Sequence, residues 1–128
     1  ARALDDEVLY KEAMDILRHS ARRRDLLKNS VKDAGLCHGG MGIMLIFDYL
    51  FKSTGHKDFQ HATSFWLNQS MDMAIHKDGN AGFMSWHSSA QQWKKEADLL
   101  DGATGIGLAL MSYLSPKPLL WNQCLMIT

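Results

Sequence analysis

The sequence of 128 residues is poor in cysteine and proline and has no net charge. Its two cysteines, Cys37 and Cys124, are too few for a disulfide framework and favour a reducing, cytoplasmic location. Its 14 basic and 14 acidic residues balance, which argues against a nucleic acid or an acidic membrane held by bulk charge. No apolar run approaches the roughly 18 residues of a membrane span. The two prolines and the scarcity of strand-like alternation favour an all-α fold.

The first residues, Ala1 to Leu4, contain neither a starting Met nor the apolar core of a signal peptide. We therefore expect residues 1–128 to be a single domain that comes from the C-terminal part of a longer chain. Apolar faces meant for the missing part would then be exposed, so we also expect this chain to self-associate.

Hydrophobic periodicity predicts two kinds of helix in alternation. The helices over residues 5–23 and 58–76 are amphipathic, whereas those over 39–52 and 102–114 are apolar nearly all round and should be buried on every face. Residues 79–98 predict an aromatic-rich loop with a helical turn, and the tail predicts a docked extended segment or small strand. The buried stripes of the two amphipathic helices should consist of Leu9, Ala13, Ile16, Leu17 and Ser20 in the first, and of Phe59, Ala62, Trp66 and Met73 in the other.

A glycine-rich pattern occurs twice, with the same residues at the same spacing in both copies. Repeated helix pairs bury their faces by stacking, so two units indicate part of a larger ring or solenoid. Glycine permits close backbone approach, and tight packing at the start of a buried helix explains the glycines of both units. The two copies are Leu36-x-x-Gly39-x-x-Gly42-Ile43-x-Leu45 and Leu99-x-x-Gly102-x-x-Gly105-Ile106-x-Leu108.

Packing does not explain Cys37 and His38, which lie shortly after Gly35 in the first copy. Thiolate and imidazole are zinc ligands. Neighbouring residues diverge by about 100° in a regular helix, but in a glycine-flanked loop they can face one ion. A thiolate just before a helix N-terminus is also stabilised by the helix dipole. An inert buried cysteine beside an unrelated histidine is the alternative that the pair alone leaves open.

The remaining chemically active residues carry weaker signals. Cys124 lies in an apolar tail and is expected in the core, and His87 is in the irregular segment, where it could border a cleft. Asp98 and Asp101 are the local candidates for the paired carboxylates of a glycan-active enzyme, although Asp101 is better explained as a helix N-cap. Surface or structural roles are expected for His19, His56, His61 and His76.

Gly35 to Ile43, Gly-Leu-Cys-His-Gly-Gly-Met-Gly-Ile, resembles the zinc motif of the lanthionine synthetase C-like family, the lanthipeptide cyclases. The second glycine-rich copy resembles the last repeat of that family, and Trp121-Asn122-Gln123-Cys124-Leu125 is similar to its C-terminus. The resemblance covers residues 35–128. It implies an α/α toroid of outer and inner helices with a short extended C-terminal tail, and zinc ligated by Cys37 and His38.

The resemblance also implies a reaction. A substrate cysteine takes the open position on zinc, loses its proton and adds to a dehydroalanine or dehydrobutyrine, which closes a thioether ring. The substrate is then a modified precursor peptide or, as in relatives outside peptide-antibiotic pathways, a small thiol such as glutathione. The family's third zinc ligand is a cysteine in a Trp-Cys-x-Gly motif that this sequence lacks, and its acid/base residues cannot be mapped here, so no catalytic residue is identified. The alternative function is a non-catalytic helical-repeat binding module.

Overall fold

A computed structural model describes residues 5–117 and 119–125. Four α-helices, one β-hairpin and a C-terminal 3₁₀ helix make up this part of the chain, so the fold is mostly helical with a small two-stranded sheet rather than all-α. No helix in the described ranges has both the length and the apolar character needed to cross a membrane. The elements are α1 (Glu7–Ala21), α2 (Gly40–Thr54), α3 (Lys57–Asp72), β1 (Ser85–His87), β2 (Gln92–Lys94), α4 (Ala103–Leu114) and the 3₁₀ helix (Leu120–Leu125).

Helix α1 packs against α3 with a face that includes only part of the predicted stripe. Its N-cap is Asp6, whose carboxylate accepts a hydrogen bond of 2.9 Å from the Leu9 amide. Met14, Leu17 and Ala21 contact the core, whereas Leu9 and Ile16 are exposed. The predicted stripe is therefore wrong in part, because α1 carries apolar side chains on more than one side and periodicity alone does not select between them.

Helix α3 packs against both α1 and α2. Its predicted stripe is confirmed at Phe59, Ala62 and Trp66, which are fully buried. Met73 is partly buried and is the C-cap of the helix, which ends at Asp72. Phe59 stacks on Phe47 of α2 with ring centroids 6.0 Å apart. On the other side, Asp58 pairs with Arg18 of α1 at 2.9 Å, and this hydrogen bond lowers the pKa of the Asp58 carboxyl.

Helices α2 and α4 pack side by side but are not buried on every face, in contrast to the prediction. Ile106 and Ala109 of α4 face the core, while Met111 and Leu114 are 58% and 78% exposed. These helices are apolar all round, yet the described elements cover only one side of α4. The exposed apolar side therefore has no partner within residues 5–117 and 119–125.

The two glycine-rich units have nearly the same backbone geometry. Gly39 and Gly102 are the N-caps of α2 and α4, with φ of −97° and −100°. The amides of Gly40 and Ala103, at equivalent positions of the two copies, bond to the carbonyls of Asp33 and Glu96 at 3.0 and 3.2 Å. The sequence repeat is thus a structural repeat.

Close approach explains the second glycine of each unit. A Cβ on Gly42 would overlap the carbonyl oxygen of Leu36, and a Cβ on Gly105 would overlap that of Leu99. A Cβ on Gly107 would meet nothing within 4 Å. The pattern therefore keeps a side chain away from the turn that precedes each apolar helix.

The C-terminal ends of α2 and α4 are joined through Lys52. Its ammonium group pairs with the buried Asp48 at 2.8 Å and donates to the carbonyls of Ser112 and Ser115 at 2.9 and 3.2 Å. These carbonyls lie at the C-terminal end of α4, where the helix dipole favours a cation. Burial raises the pKa of Asp48, and the bond to Lys52 opposes that rise only in part.

Residues 85–94 form a hairpin where a loop with a helical turn was predicted. Trp86 faces Trp93 across the two strands, with ring centroids 5.3 Å apart. Aromatic cross-strand pairs stabilise short hairpins, and strands of three residues are too short to show alternation in sequence.

The tail also differs from its prediction. It forms a 3₁₀ helix rather than an extended segment or strand, and the Trp121 indole donates to Ser112 Oγ at 3.1 Å. Cys124 is exposed and not in the core. Its thiol donates to the Trp121 carbonyl oxygen at 2.8 Å.

Substituting Gly105→Ala should lower the free energy of unfolding by about 1–3 kcal/mol or more, because the new Cβ overlaps a backbone oxygen that cannot move independently. Gly107→Ala in the same helix should raise it by up to about 1 kcal/mol, since alanine is the better helix former. Urea denaturation measures both. Equal effects of the two substitutions would contradict the close-approach explanation.

Asp48→Asn should change how stability depends on pH. The pKa of Asp48 is raised above its ordinary value of 3.8, so its contribution is fully present below that value and is lost as pH rises through the folded-state pKa. The stability of Asp48→Asn relative to the parent chain should therefore increase from about pH 3 to about pH 7.

Asp58→Asn is the matched control with the opposite sign. The pKa of Asp58 is lowered, so its contribution is lost as pH falls, and the parent chain should lose its advantage over Asp58→Asn in acid. Denaturant melts across pH measure both, and slopes of the same sign would refute the assignment.

Candidate metal centre

The loop before α2 is built around the buried carboxylate of Asp33, which is 1% exposed. Its Oδ1 accepts from the Gly35 amide at 3.0 Å and its Oδ2 from the Trp86 amide at 2.8 Å. Such charge-assisted bonds are stronger than neutral ones. Asp33 therefore fixes the loop that carries Cys37 and His38 and attaches the hairpin to it.

Glycines allow this loop to close tightly. A Cβ on Gly39 would overlap the Gly35 nitrogen and lie 2.6 Å from Asp33 Oδ1, and a Cβ on Gly35 would lie 3.3 Å from the Leu100 carbonyl oxygen. The motif glycines Gly35, Gly39, Gly42, Gly102 and Gly105 thus form the scaffold of the site and provide none of its side-chain ligands.

The loop before α4 is held by a different carboxylate. Asp98 Oδ1 accepts from the amides of Leu100 and Asp101, each at 2.8 Å, and these backbone bonds, the one from Asp101 first, lower the pKa of Asp98. The N-cap of α4 is Gly102, without a side-chain cap bond. The prediction that Asp101 is the N-cap is therefore wrong, because Asp98 orders this turn and leaves the Asp101 side chain for another contact.

The two loops meet at one carbonyl group. The Leu100 oxygen accepts hydrogen bonds from the amides of Leu36 and Cys37, at 2.8 and 3.0 Å. These two hydrogen bonds, here called the Leu100 clamp, place Asp101 beside Cys37 and His38.

Three side chains converge there. The Cys37 sulfur, a His38 ring nitrogen and an Asp101 carboxylate oxygen lie within 4.8 Å of one another. His38 Nδ1 is 3.5 Å from Asp101 Oδ1, and on the opposite edge of the ring His38 Nε2 is 3.7 Å from Asp33 Oδ2. Within the described ranges this is the single group of three or more His, Cys, Asp or Glu side chains with such spacing.

The donor set fits zinc, which binds thiolate, imidazole and carboxylate. Asp101 Oδ1 is buried and accepts no hydrogen bond from the described residues, and such an orphaned acceptor is uncommon unless an ion or water satisfies it. Cys37 is exposed, which contradicts the alternative of an inert buried cysteine.

Other candidates lie outside this group. His87 is half-buried in β1, with Nε2 3.3 Å from Glu96 Oε1. Asp98 uses its carboxylate to hold backbone amides, which gives no support to a glycan-cleaving pair with Asp101. His19 and His61 are exposed, His56 packs edge-on against Phe59, and His76 lies against Trp93.

Asp101 is the member of this group that the Cys-His motif did not predict. The repeat held the necessary signal, since position 101 in the second copy corresponds to position 38 in the first. Equivalent positions of adjacent repeats lie side by side when the repeats stack.

Comparison with protein families gives a match over nearly the whole chain: the family model described as "Lanthionine synthetase C-like protein" matches residues 1–126. No curated protein and no solved structure gives a significant match.

Asp33→Asn should lower the free energy of unfolding by about 1–3 kcal/mol. The side-chain NH₂ of asparagine would face one of the two backbone N–H groups from which Asp33 now accepts a hydrogen bond. Asp78→Asn, at an exposed position, is the control and should change stability by less than about 0.5 kcal/mol. Urea denaturation provides the measurement. Equal stabilities of the two variants would show that Asp33 does not hold the loop.

Proposed function

This chain belongs to the lanthionine synthetase C-like family, and on that premise we propose that it is the C-terminal part of a zinc-dependent cyclase. In this proposal Cys37 and His38 hold zinc, and a cysteine thiol adds to a dehydroalanine or dehydrobutyrine to form a thioether. The observation that supports it is the convergence of Cys37, His38 and a carboxylate at the family's motif, clamped by backbone bonds from two repeats.

Zinc bound there would lower the pKa of a thiol in its open position, so that the thiol reacts as a thiolate near neutral pH. The residues of this chain hold and orient the site. Asp33 fixes the loop, and its Oδ2 lies 3.7 Å from His38 Nε2. Cys37 lies on the surface, where a peptide or a small thiol can approach.

The proposed reaction balances without a redox partner. The thiol loses its proton, sulfur forms a bond to the β-carbon of the dehydro residue, and the electron pair of the C=C bond moves to the α-carbon, which takes up a proton. We assign that proton transfer to no described residue of this chain. The substrate class is a modified precursor peptide or a small thiol.

We propose that α1 and α3 belong to the outer layer of an α/α toroid and α2 and α4 to the inner layer. The contacts of α1 with α3, and of α2 with α4, support this arrangement. The exposed Met111 and Leu114 would then pack against further inner helices. By the same reasoning the chain alone should self-associate through this face.

Elemental analysis of the intact protein, including the part that carries the third ligand, should find zinc, and Cys37→Ala should lose it because a thiolate ligand is gone. Cys124→Ala is the matched control, since Cys124 is also exposed but outside the converging group. Zinc should also protect Cys37, but not Cys124, from alkylation.

Two results would refute the zinc site: absence of zinc from the intact protein, or its retention in Cys37→Ala. Resistance of Cys37 to alkylation in zinc-free protein would favour the non-catalytic binding module instead.

A further inference from the structure

We propose that the outer edge of strand β2 is a docking site for an extended, acidic segment of a peptide substrate. The inference rests on the proposed function, which supplies the identity of that peptide. It selects a precursor peptide over a small thiol as the substrate, because a small thiol has no backbone that could pair with a strand.

The hairpin has one edge that is occupied and one that is free. On β1 the Trp86 amide donates to Asp33 Oδ2 at 2.8 Å, so its N–H points out of the hairpin. Trp86 is paired with Trp93, and in such an antiparallel pair both residues direct their N–H and C=O groups outward. The Trp93 groups therefore point away from β1, which is the single strand that borders β2 in the described chain.

These outward backbone groups suit an added strand. Among the described residues, no other segment forms a backbone hydrogen bond with Trp93. An extended peptide can pair with a free edge through main-chain hydrogen bonds, while side-chain contacts select its sequence. The edge is also held in place, because the Glu96 carbonyl just after β2 accepts from Asn80 Nδ2 at 2.8 Å and from the Ala103 amide at 3.2 Å.

The hairpin borders the candidate metal centre. The oxygen that binds the Trp86 amide, Asp33 Oδ2, is also 3.7 Å from His38 Nε2. A strand added to β2 would lie two strand spacings from β1, or about 10 Å, and roughly three or four extended residues span that distance. A peptide paired with β2 can therefore bring a cysteine or a dehydro residue a few positions away to Cys37.

The side chains beside this edge define the chemistry of its partner. Trp93 is 39% exposed, and the Lys32 ammonium lies 4.4 Å from the ring centroid of Trp86, the residue that faces Trp93 across the hairpin. Lys94 and Lys95 add two cations, and neither belongs to an ion pair in the described ranges. Lysines keep a free edge from pairing with a second copy of itself, whereas an acidic strand is attracted to it.

The test uses the intact protein and a short fluorescein-labelled peptide in which glutamate and valine alternate. This probe contains no cysteine and no dehydro residue, so its binding requires neither zinc nor the reaction. Fluorescence anisotropy measures the affinity. Methylation of alternate backbone nitrogens of the probe should weaken binding at least about tenfold, because main-chain hydrogen bonds are lost.

Lys95→Glu tests the role of charge. It should weaken binding of the glutamate probe about fivefold, because an attraction becomes a repulsion, and it should strengthen binding of a probe with lysine in place of glutamate. Lys28→Glu, an equal change of charge at an exposed position after α1, is the matched control and should leave both affinities near those of the parent. Tighter binding of the lysine probe also verifies that Lys95→Glu is folded.

Hydrogen exchange of the tryptophan amides, measured by NMR on protein with isotope-labelled tryptophan, locates the contact. The bound probe should slow exchange of the Trp93 amide at least about tenfold, because that N–H becomes hydrogen-bonded. The Trp86 amide already donates to Asp33 and should change little.

The outcomes separate the two proposals. No binding of the glutamate probe, equal binding of its methylated form, parent-like binding by Lys95→Glu, or unchanged exchange at Trp93 would each overturn the docking site and leave the zinc site intact. Absence of zinc from the intact protein would refute the cyclase, whereas the binding and exchange of the probe would still decide whether β2 receives an acidic strand.

Discussion

The rest of the structure depends on one carbonyl group, that of Leu100, which accepts the amides of Leu36 and Cys37 at 2.8 and 3.0 Å. Buried backbone donors must be paired, and here two donors from one repeat are satisfied by one acceptor from the other. The bond ties the start of α2 to the start of α4, so the packing of the apolar helices and the position of Cys37 follow from the same contact. Loss of the clamp would disturb both.

Glycine makes this contact possible. The two glycine-rich units share one backbone conformation but carry side chains of different chemistry. In both units a glycine faces the carbonyl oxygen of the first leucine, where no side chain fits. Gly42 faces Leu36, and Gly105 faces Leu99. The scaffold is thus the same in both. Among the positions that differ, Cys37 and His38 in one unit correspond to Leu100 and Asp101 in the other. A repeated backbone with unlike side chains can place donors of different chemistry around one point, which a single loop of adjacent residues does less readily.

The sequence allowed the helices, the repeat and the Cys-His pair to be predicted because these features are local: periodicity, glycine spacing and adjacent residues. It did not reveal the hairpin, since its strands are short and their stabilising contact between Trp86 and Trp93 forms only when the chain turns back. Nor did it reveal Asp101, which was interpreted as a cap from its place before a helix. Its amide donates to Asp98, and its carboxylate lies 3.5 Å from His38, a contact that joins two repeats far apart in the sequence.

The direction of the two apolar helices, α2 and α4, helps explain why the candidate site lies at this end of the molecule. Helices α2 and α4 both start at the Leu100 clamp and both end near Lys52, whose ammonium group binds the carbonyls of Ser112 and Ser115. Helix N-termini favour anions and C-termini favour cations. Metal ligands must lose protons to bind, and both loops of the candidate site precede the N-termini of α2 and α4, the helix ends that favour anions. The opposite end, with the same helices and a buried Asp48, instead holds a lysine, and its carboxylate is neutralised by that partner rather than left for an ion.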